Sequence, residues 1–239
     1  METVYSSENK PKSKVIKTSV LIDENGRLFA RLTDSGVLLN VDKLSADDRV
    51  ESVPGCIVLA TPLATAVPEN LFDYSNRNLF LEAVGIYPNA NHEVLVSSAV
   101  DGVITVMAVE RECAEWLKSY KVPVYHLLQL NLLRAKGKQF RSGRVVLLNM
   151  SAGTLAVTVH IDSRLEMAEI YPVANNDEIL FVAKTLEQQY LASSGAVRIW
   201  GLGSAECYAL LSEFVEDIAT DKIDGVENPE YNNLVIGNI

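Results

Sequence analysis

The sequence predicts an α/β fold built from two similar lobes. A three-strand pattern occurs twice, over residues 15–42 and 144–173, each time as strand, glycine-bearing turn, strand, polar turn, strand. Each copy leads into alternating helices and strands, an order that builds a mixed sheet covered by helices. The chain has 239 residues, 48% hydrophobic and 22% charged, an ordinary soluble composition and enough for one large domain or two small ones with real cores. The expected organisation is a disordered tail at 1–14, an N-terminal lobe at 15–140, a C-terminal lobe at 141–220 and a tail at 221–239.

In chain order, residues 14–22 alternate and read as a strand, closed by Asp23-Glu24-Asn25-Gly26, since Asn-Gly tolerates positive φ. Residues 27–32 and 37–41 give two further strands around the turn Thr33–Gly36, and the polar stretch Ser45–Arg49 reads as a short turn. Residues 56–60 are a buried strand. Pro62 and Pro68 hold the segment between them extended and suit a sheet edge. Ser75 is the expected cap of a helix with Leu79, Phe80, Ala83 and Val84 as its apolar positions. Asp101-Gly102 joins strands 93–100 and 103–109, followed by a helix at 110–120 that stops before Pro123. Residues 124–136 read as one helix, apolar on more than one face and so buried on most sides.

The second lobe repeats the plan. Strands are expected at 144–148, 155–161 and 165–171, with Asp162-Ser163 as a two-residue turn. Asn176 caps a helix to about Leu191, residues 196–200 are a buried strand, and Gly201-Leu202-Gly203-Ser204 opens a helix to about Ala219.

Composition removes several function classes. A formal net charge of −10 disfavours a nucleic-acid partner. The one basic cluster, Arg134 to Arg144, reads as a solvated connector. Cys56, Cys113 and Cys207 lie far apart in apolar surroundings, as buried thiols of a reducing compartment do. His92, His126 and His160 have no ligand partner at metal spacing. Residues 1–14 lack the apolar segment of a signal peptide, and no apolar run reaches the ~18 residues of a membrane span, so the cytoplasm is the expected location. Glu166 and Glu169 fall on opposite faces of a strand, no nucleophile elbow surrounds Ser204, and Trp116 and Trp200 read as core residues.

The two hairpin turns and the Gly-x-Gly turn resemble those of the actin-like ATPase superfold, whose halves are ribonuclease H-like units, each a mixed sheet with three antiparallel strands and flanking helices. That resemblance implies ATP with Mg²⁺ between the lobes, its phosphates gripped by one turn from each lobe. Carried over, Asp23 and Gly26 belong to the first phosphate turn, Asn149, Gly153 and Thr154 to the second, and Gly201, Gly203 and Ser204 to an adenosine turn. The pattern departs from the family where Glu24 and Arg27 replace small residues and where Asn149 replaces an aspartate. No residue answers to the catalytic carboxylate or glutamine. A closer resemblance, carried by Val67 to Phe72, residues 93–109 and residues 165–181, is to a Bacteroidetes family with a reduced actin-like fold. In fold the chain is also similar to cytoplasmic actin-like proteins of pilus and type II secretion assemblies.

The resulting expectation is a non-catalytic binding or scaffold protein with a degenerate nucleotide cleft, no metal and no confident cofactor, acting through a protein partner. The alternative is a nucleotide-binding protein or ATPase that uses the inter-lobe cleft with ATP and Mg²⁺. Homo-oligomerisation through strand edges stays open beside both.

Overall fold

A computed structural model describes residues 1–7, 17–45, 48, 50, 53–136, 142–191 and 195–238. Residues 8–16, part of the turn expected at 45–49, the middle of the basic cluster (137–141) and Ile239 lie outside the described residues. In chain order the elements are β1 (Glu2–Ser6), β2 (Lys17–Asp23), β3 (Gly26–Leu32), β4 (Leu38–Leu44), β5 (Cys56–Leu59), β6 (Ala64–Pro68), α1 (Arg77–Ala83), β7 (His92–Val96), β8 (Val103–Glu110), α2 (Arg111–Lys118), β9 (Val124–His126) and α3 (Leu127–Ala135). The second half contributes β10 (Arg144–Ser151), β11 (Thr154–Ile161), β12 (Arg164–Pro172), α4 (Asn176–Leu186), β13 (Ala196–Gly201), α5 (Ser204–Leu211), β14 (Ile218–Thr220) and α6 (Asn233–Ile236).

Two mixed sheets share one topology. The first has the order β1-β4-β3-β2-β5-β9 and the second β12-β11-β10-β13-β14. In each, an antiparallel three-strand meander is extended by two parallel strands: β2 by β5 and β9, β10 by β13 and β14. A third sheet, β6-β8-β7, sits between β5 and β9 in the chain, with β6 at its edge as the flanking prolines required.

Strand alternation divides the apolar residues among the layers. On β10, Val146, Leu148 and Met150 meet Ile179, Ala183 and Leu186 of α4 and Cys207 and Leu211 of α5. Val145 and Leu147 face the other way and join Leu21 and Val58 of the first sheet, the leucines of α3, and Leu234, Val235 and Ile236 of α6. One core therefore runs through both lobes, with α3 and α6 between the sheets. On the first sheet's outer face, Val20, Phe29 and Ile57 pack against Met107 of β8 and Ala114 and Leu117 of α2, which fixes the small sheet to that lobe.

Several expectations are corrected. Glu2–Ser6 pairs antiparallel with β4 rather than trailing as a disordered tail, because that sheet edge offers unpaired backbone groups to a β-competent segment. The helix expected at 124–136 splits: Val124-Tyr125-His126 adds to β5, and α3 starts only after it. His126 marks the switch, because its Nδ1 accepts from the Leu128 amide (3.2 Å) while its own amide donates to Gln129 Oε1 (2.9 Å). The helix after Gly203 stops at Leu211, and Ile218–Thr220 pairs with β13 instead. The cap of α4 is Asn175, whose side chain accepts from the Glu178 amide (3.0 Å), rather than Asn176. Ser75 caps nothing. Its amide donates to Asp73 (2.9 Å) within a 3₁₀ turn, and α1 buries Leu81 while Leu79 and Val84 face outward. The tail expected at 221–239 carries α6, whose residues are all buried.

Candidate functional site

The two hairpins define the register of the site. Strand β2 ends at Asp23, which pairs with Gly26 across the turn Glu24-Asn25, and Asp23 Oδ1 accepts from the Asn25 amide (2.8 Å). Strand β10 ends at Ser151, which pairs with Thr154 across Ala152-Gly153. The counterpart of Asp23 is thus Ser151, not Asn149. Asn149 lies two residues inside the strand, opposite Ala156, fully buried, with Nδ2 donating to the Leu127 carbonyl (3.1 Å). The longer turn read in the sequence shifted the correspondence by two residues, which keeps the face because strand side chains alternate.

The hairpins meet. Ser151 Oγ donates to Asp23 Oδ2 at 2.6 Å, joining residues 128 positions apart. The Glu24 carboxylate lies directly on Gly153: a Cβ at that position would stand 2.7 to 2.9 Å from its three carboxyl atoms. The turns come together as the resemblance implied, but an acidic side chain of the first occupies the face of the second. Thr154 is buried, and its Oγ1 has no hydrogen-bond partner among the described residues.

The Gly-x-Gly turn is filled in the same way. Gly201 (φ +94°) ends β13 beside Met150, and a Cβ there would lie 2.0 Å from the Met150 carbonyl oxygen, 2.8 Å from Asn233 Nδ2 and 2.9 Å from Asn149 Oδ1. Asn233, at the start of α6, donates Nδ2 to the Met150 carbonyl (3.2 Å), and Ser19 of β2 donates to the Leu234 carbonyl. The C-terminal segment therefore bonds both sheets. Ser204 opens α5 with a buried hydroxyl that has no partner among the described residues, whereas Gly203 faces open space. The structure thus gathers Asn149, Gly201 and Asn233 at one point and Asp23, Glu24, Ser151 and Gly153 at another. Asn233 escaped the sequence reading. The only signal for it was an Asn-Asn pair ahead of the apolar triplet Leu234 to Ile236.

Gly26 and Asp23 also border a different space. A cavity of about 460 Å³ opens between the outer face of the first sheet and β8–α2. Its floor is Ile22, Leu59, Leu63, Ala108 and Val109, and its rim carries Asp23, Glu24, Glu110 and Glu112 against Arg27 and His92. The Arg27 guanidinium lies 4.9 Å from the centre of the Trp116 ring. Burial pushes the Cys113 thiol up to about 11, an effect that Arg27 partly offsets. A second recess of about 480 Å³, bordered by Asn89, Asn91 and Arg111, shares His92, Glu110 and Glu112 with the first. Neither recess was legible as a site in the sequence: the walls of the first come from separate sheets, and those of the second from segments about 20 residues apart that only the β7–β8 pairing brings together. Among the described residues, no group of three His, Cys, Asp or Glu side chains is placed to hold a metal ion. No helix among them is long and apolar enough to cross a membrane.

Comparison with solved structures places the architecture. The chain has the actin-like ATPase fold. It is similar to a Bacteroides thetaiotaomicron protein of that fold and of unknown function, at 13% identity and a TM-score of 0.69 over 93% of this chain and 96% of that one. A chain of the PilM–PilN type IV pilus biogenesis complex is similar at 10% identity and a TM-score of 0.53, over 94% and 97%. No protein-family model matches the sequence. No curated protein matches it either.

Proposed function

We propose that this chain is a non-catalytic binding or scaffold protein whose inter-lobe cleft is closed by its own side chains. The carrying observation is the junction of the two hairpins, where the Glu24 carboxylate stands against Gly153 and Asp23 is engaged by Ser151. A phosphate brought there would meet two carboxylates, and like unit charges about 4 Å apart repel by ~4 kcal/mol near a protein surface. Asn233 adds a second block at Gly201. In this reading Asp23, Gly26, Asn149, Gly153, Thr154, Gly201, Gly203 and Ser204 are the remains of a nucleotide site. The lobes run from 15 to 140 and 141 to 220, and the chain belongs with Bacteroidetes proteins of this fold and acts in the cytoplasm with a protein partner. A chain of the same fold found in the PilM–PilN complex supports a partner-binding role by fold analogy alone.

The second reading is ATP binding with Mg²⁺. What favours it is that Asp23 and Gly153, from opposite lobes, do come together, with Gly203 left open at the start of α5. Calorimetric titration of the full chain with ATP and Mg²⁺, paired with a thermal-shift measurement, separates the two. No heat and no shift are expected. Magnesium-dependent ATP turnover that Asp23→Ala abolishes would overturn the binding-protein reading.

A further inference from the structure

The geometry points to the groove on the outer side of the first lobe as a docking site for an extended, basic segment of a partner protein, with an apolar side chain seated between cationic neighbours. This rests on the reading of the chain as a binding protein; the groove shares Asp23 and Glu24 with the hairpin junction, but neither Gly153 nor Gly201 lines it. The two recesses share His92, Glu110 and Glu112 as lining and so lie side by side, an arrangement that an extended chain could follow from one to the other. Its chemistry changes along its length. At one end Leu59, Leu63, Ala108 and Val109 form an apolar floor. At the other, the Asn91 side chain and the Nδ2 of Asn89, whose Oδ1 already accepts from the Asn91 amide (2.8 Å), offer amide groups suited to a peptide backbone.

Charge selects the occupant. Glu110 and Glu112 stand exposed on both recesses, and no hydrogen bond or ion pair engages either carboxylate among the described residues. Asp23 and Glu24 add negative charge at the apolar end. Of the basic groups along the two recesses, Arg27 is turned onto Trp116, Arg111 donates to the Ala90 carbonyl (2.9 Å), and His92 Nδ1 is 2.8 Å from Asn89 Oδ1, which leaves the four carboxylates in excess. A chain of net charge −10 reinforces this local field rather than cancelling it. The complementary ligand has an aliphatic or aromatic side chain for the floor and Arg or Lys residues beside it for the carboxylates.

The test is selection of short linear peptides from a random displayed library on the full chain, followed by fluorescence anisotropy with the enriched sequences made synthetically. Enrichment of an apolar residue flanked by Arg or Lys is expected. The Glu110→Gln/Glu112→Gln variant should weaken those peptides by roughly threefold to tenfold, as expected for two exposed ion pairs. Leu63→Arg, at a position already 38% exposed and so tolerant of a larger side chain, should abolish binding. Unchanged melting temperatures keep both results interpretable. The proposal is overturned if no peptide is enriched, if the enriched peptides lack basic residues, or if both variants bind as wild type. Saturation of the groove by spermidine without peptide selection would likewise overturn it in favour of a small polyamine. Heat from ATP with peptide binding intact would instead refute the closed-cleft reading and leave the groove standing.

Discussion

Two glycines of the candidate site should respond very differently to the same one-carbon insertion. In Gly201→Ala the new Cβ would lie 2.0 Å from the Met150 carbonyl oxygen, an atom held in the β10–β13 ladder region and already accepting from Asn233. Backbone must move, because no flexible side chain end can yield. A positive φ of 94° adds about 1–2 kcal/mol for a residue with a Cβ, overpacking about 1–3, and loss of a buried hydrogen bond about 1–3. The total is roughly 4 kcal/mol or more, a large share of an ordinary domain's stability. In Gly153→Ala the three atoms nearest the Cβ all belong to the Glu24 carboxylate, at 2.7 to 2.9 Å, and that exposed side-chain end can shift slightly to admit a methyl group while staying at the junction. The cost is then the positive φ alone, about 1–2 kcal/mol. Urea unfolding followed by circular dichroism measures both. A Gly153→Ala variant as unstable as Gly201→Ala, or a Gly201→Ala variant within about 1 kcal/mol of wild type, would refute the reasoning.

Acid should weaken the fold before most carboxylates titrate. Burial pushes His126 down to about 4, and since Nδ1 accepts from Leu128, the neutral ring donates Nε2–H to the Thr61 carbonyl. Between about pH 6.5 and 4 the unfolded chain binds the proton and the folded one does not, so stability falls as pH falls, by about 2 kcal/mol from pH 7 to 5. Denaturant midpoints across that range check it, and His126→Gln should flatten the slope. Burial lowers His160 in the same direction. Arg134→Ala should cost about 2–3 kcal/mol, because Arg134 holds the carboxylate of Asp221, only 5% exposed, and the Lys222 carbonyl (3.1 Å). Chemical denaturation reads that loss, and Arg134→Lys should recover little of it. Burial raises Cys56 and Cys207 to about 12, so in the native protein at pH 8 their thiolate fractions are about one in ten thousand. Thiol labelling should be slow until denaturant is added, and rapid native labelling of Cys56 would contradict that burial.

Legibility followed locality. The hairpin at Asp23 to Gly26, the turn at Asp162-Ser163 with φ of 48° and 67°, and the edge strand before Pro68 were readable because each rests on the dihedral preferences of two or three residues. The failures came where a distant partner outweighed local periodicity. Residues 218–220 look helical in isolation, yet β13 captures them as a parallel strand. Residues 124–126 do the same beside β5. In the site, Asp23, Gly153 and Gly201 were visible from their turns. Ser151 as the partner of Asp23 was not, since a two-residue turn and a longer one fit the same letters.

By itself, then, the sequence determined the duplicated meanders, the alternation that buries one face of each strand, and the turn chemistry that closes each hairpin. All are consequences of backbone dihedrals and side-chain period, which operate within a few residues. Only the tertiary structure decided what occupies the space between the lobes. Glu24 on Gly153 joins residues from two hairpins, and Asn233 beside Gly201 brings in a segment that carries no strong pattern of its own. Such contacts depend on how two sheets and a terminal helix pack around one core, and no local preference encodes that arrangement.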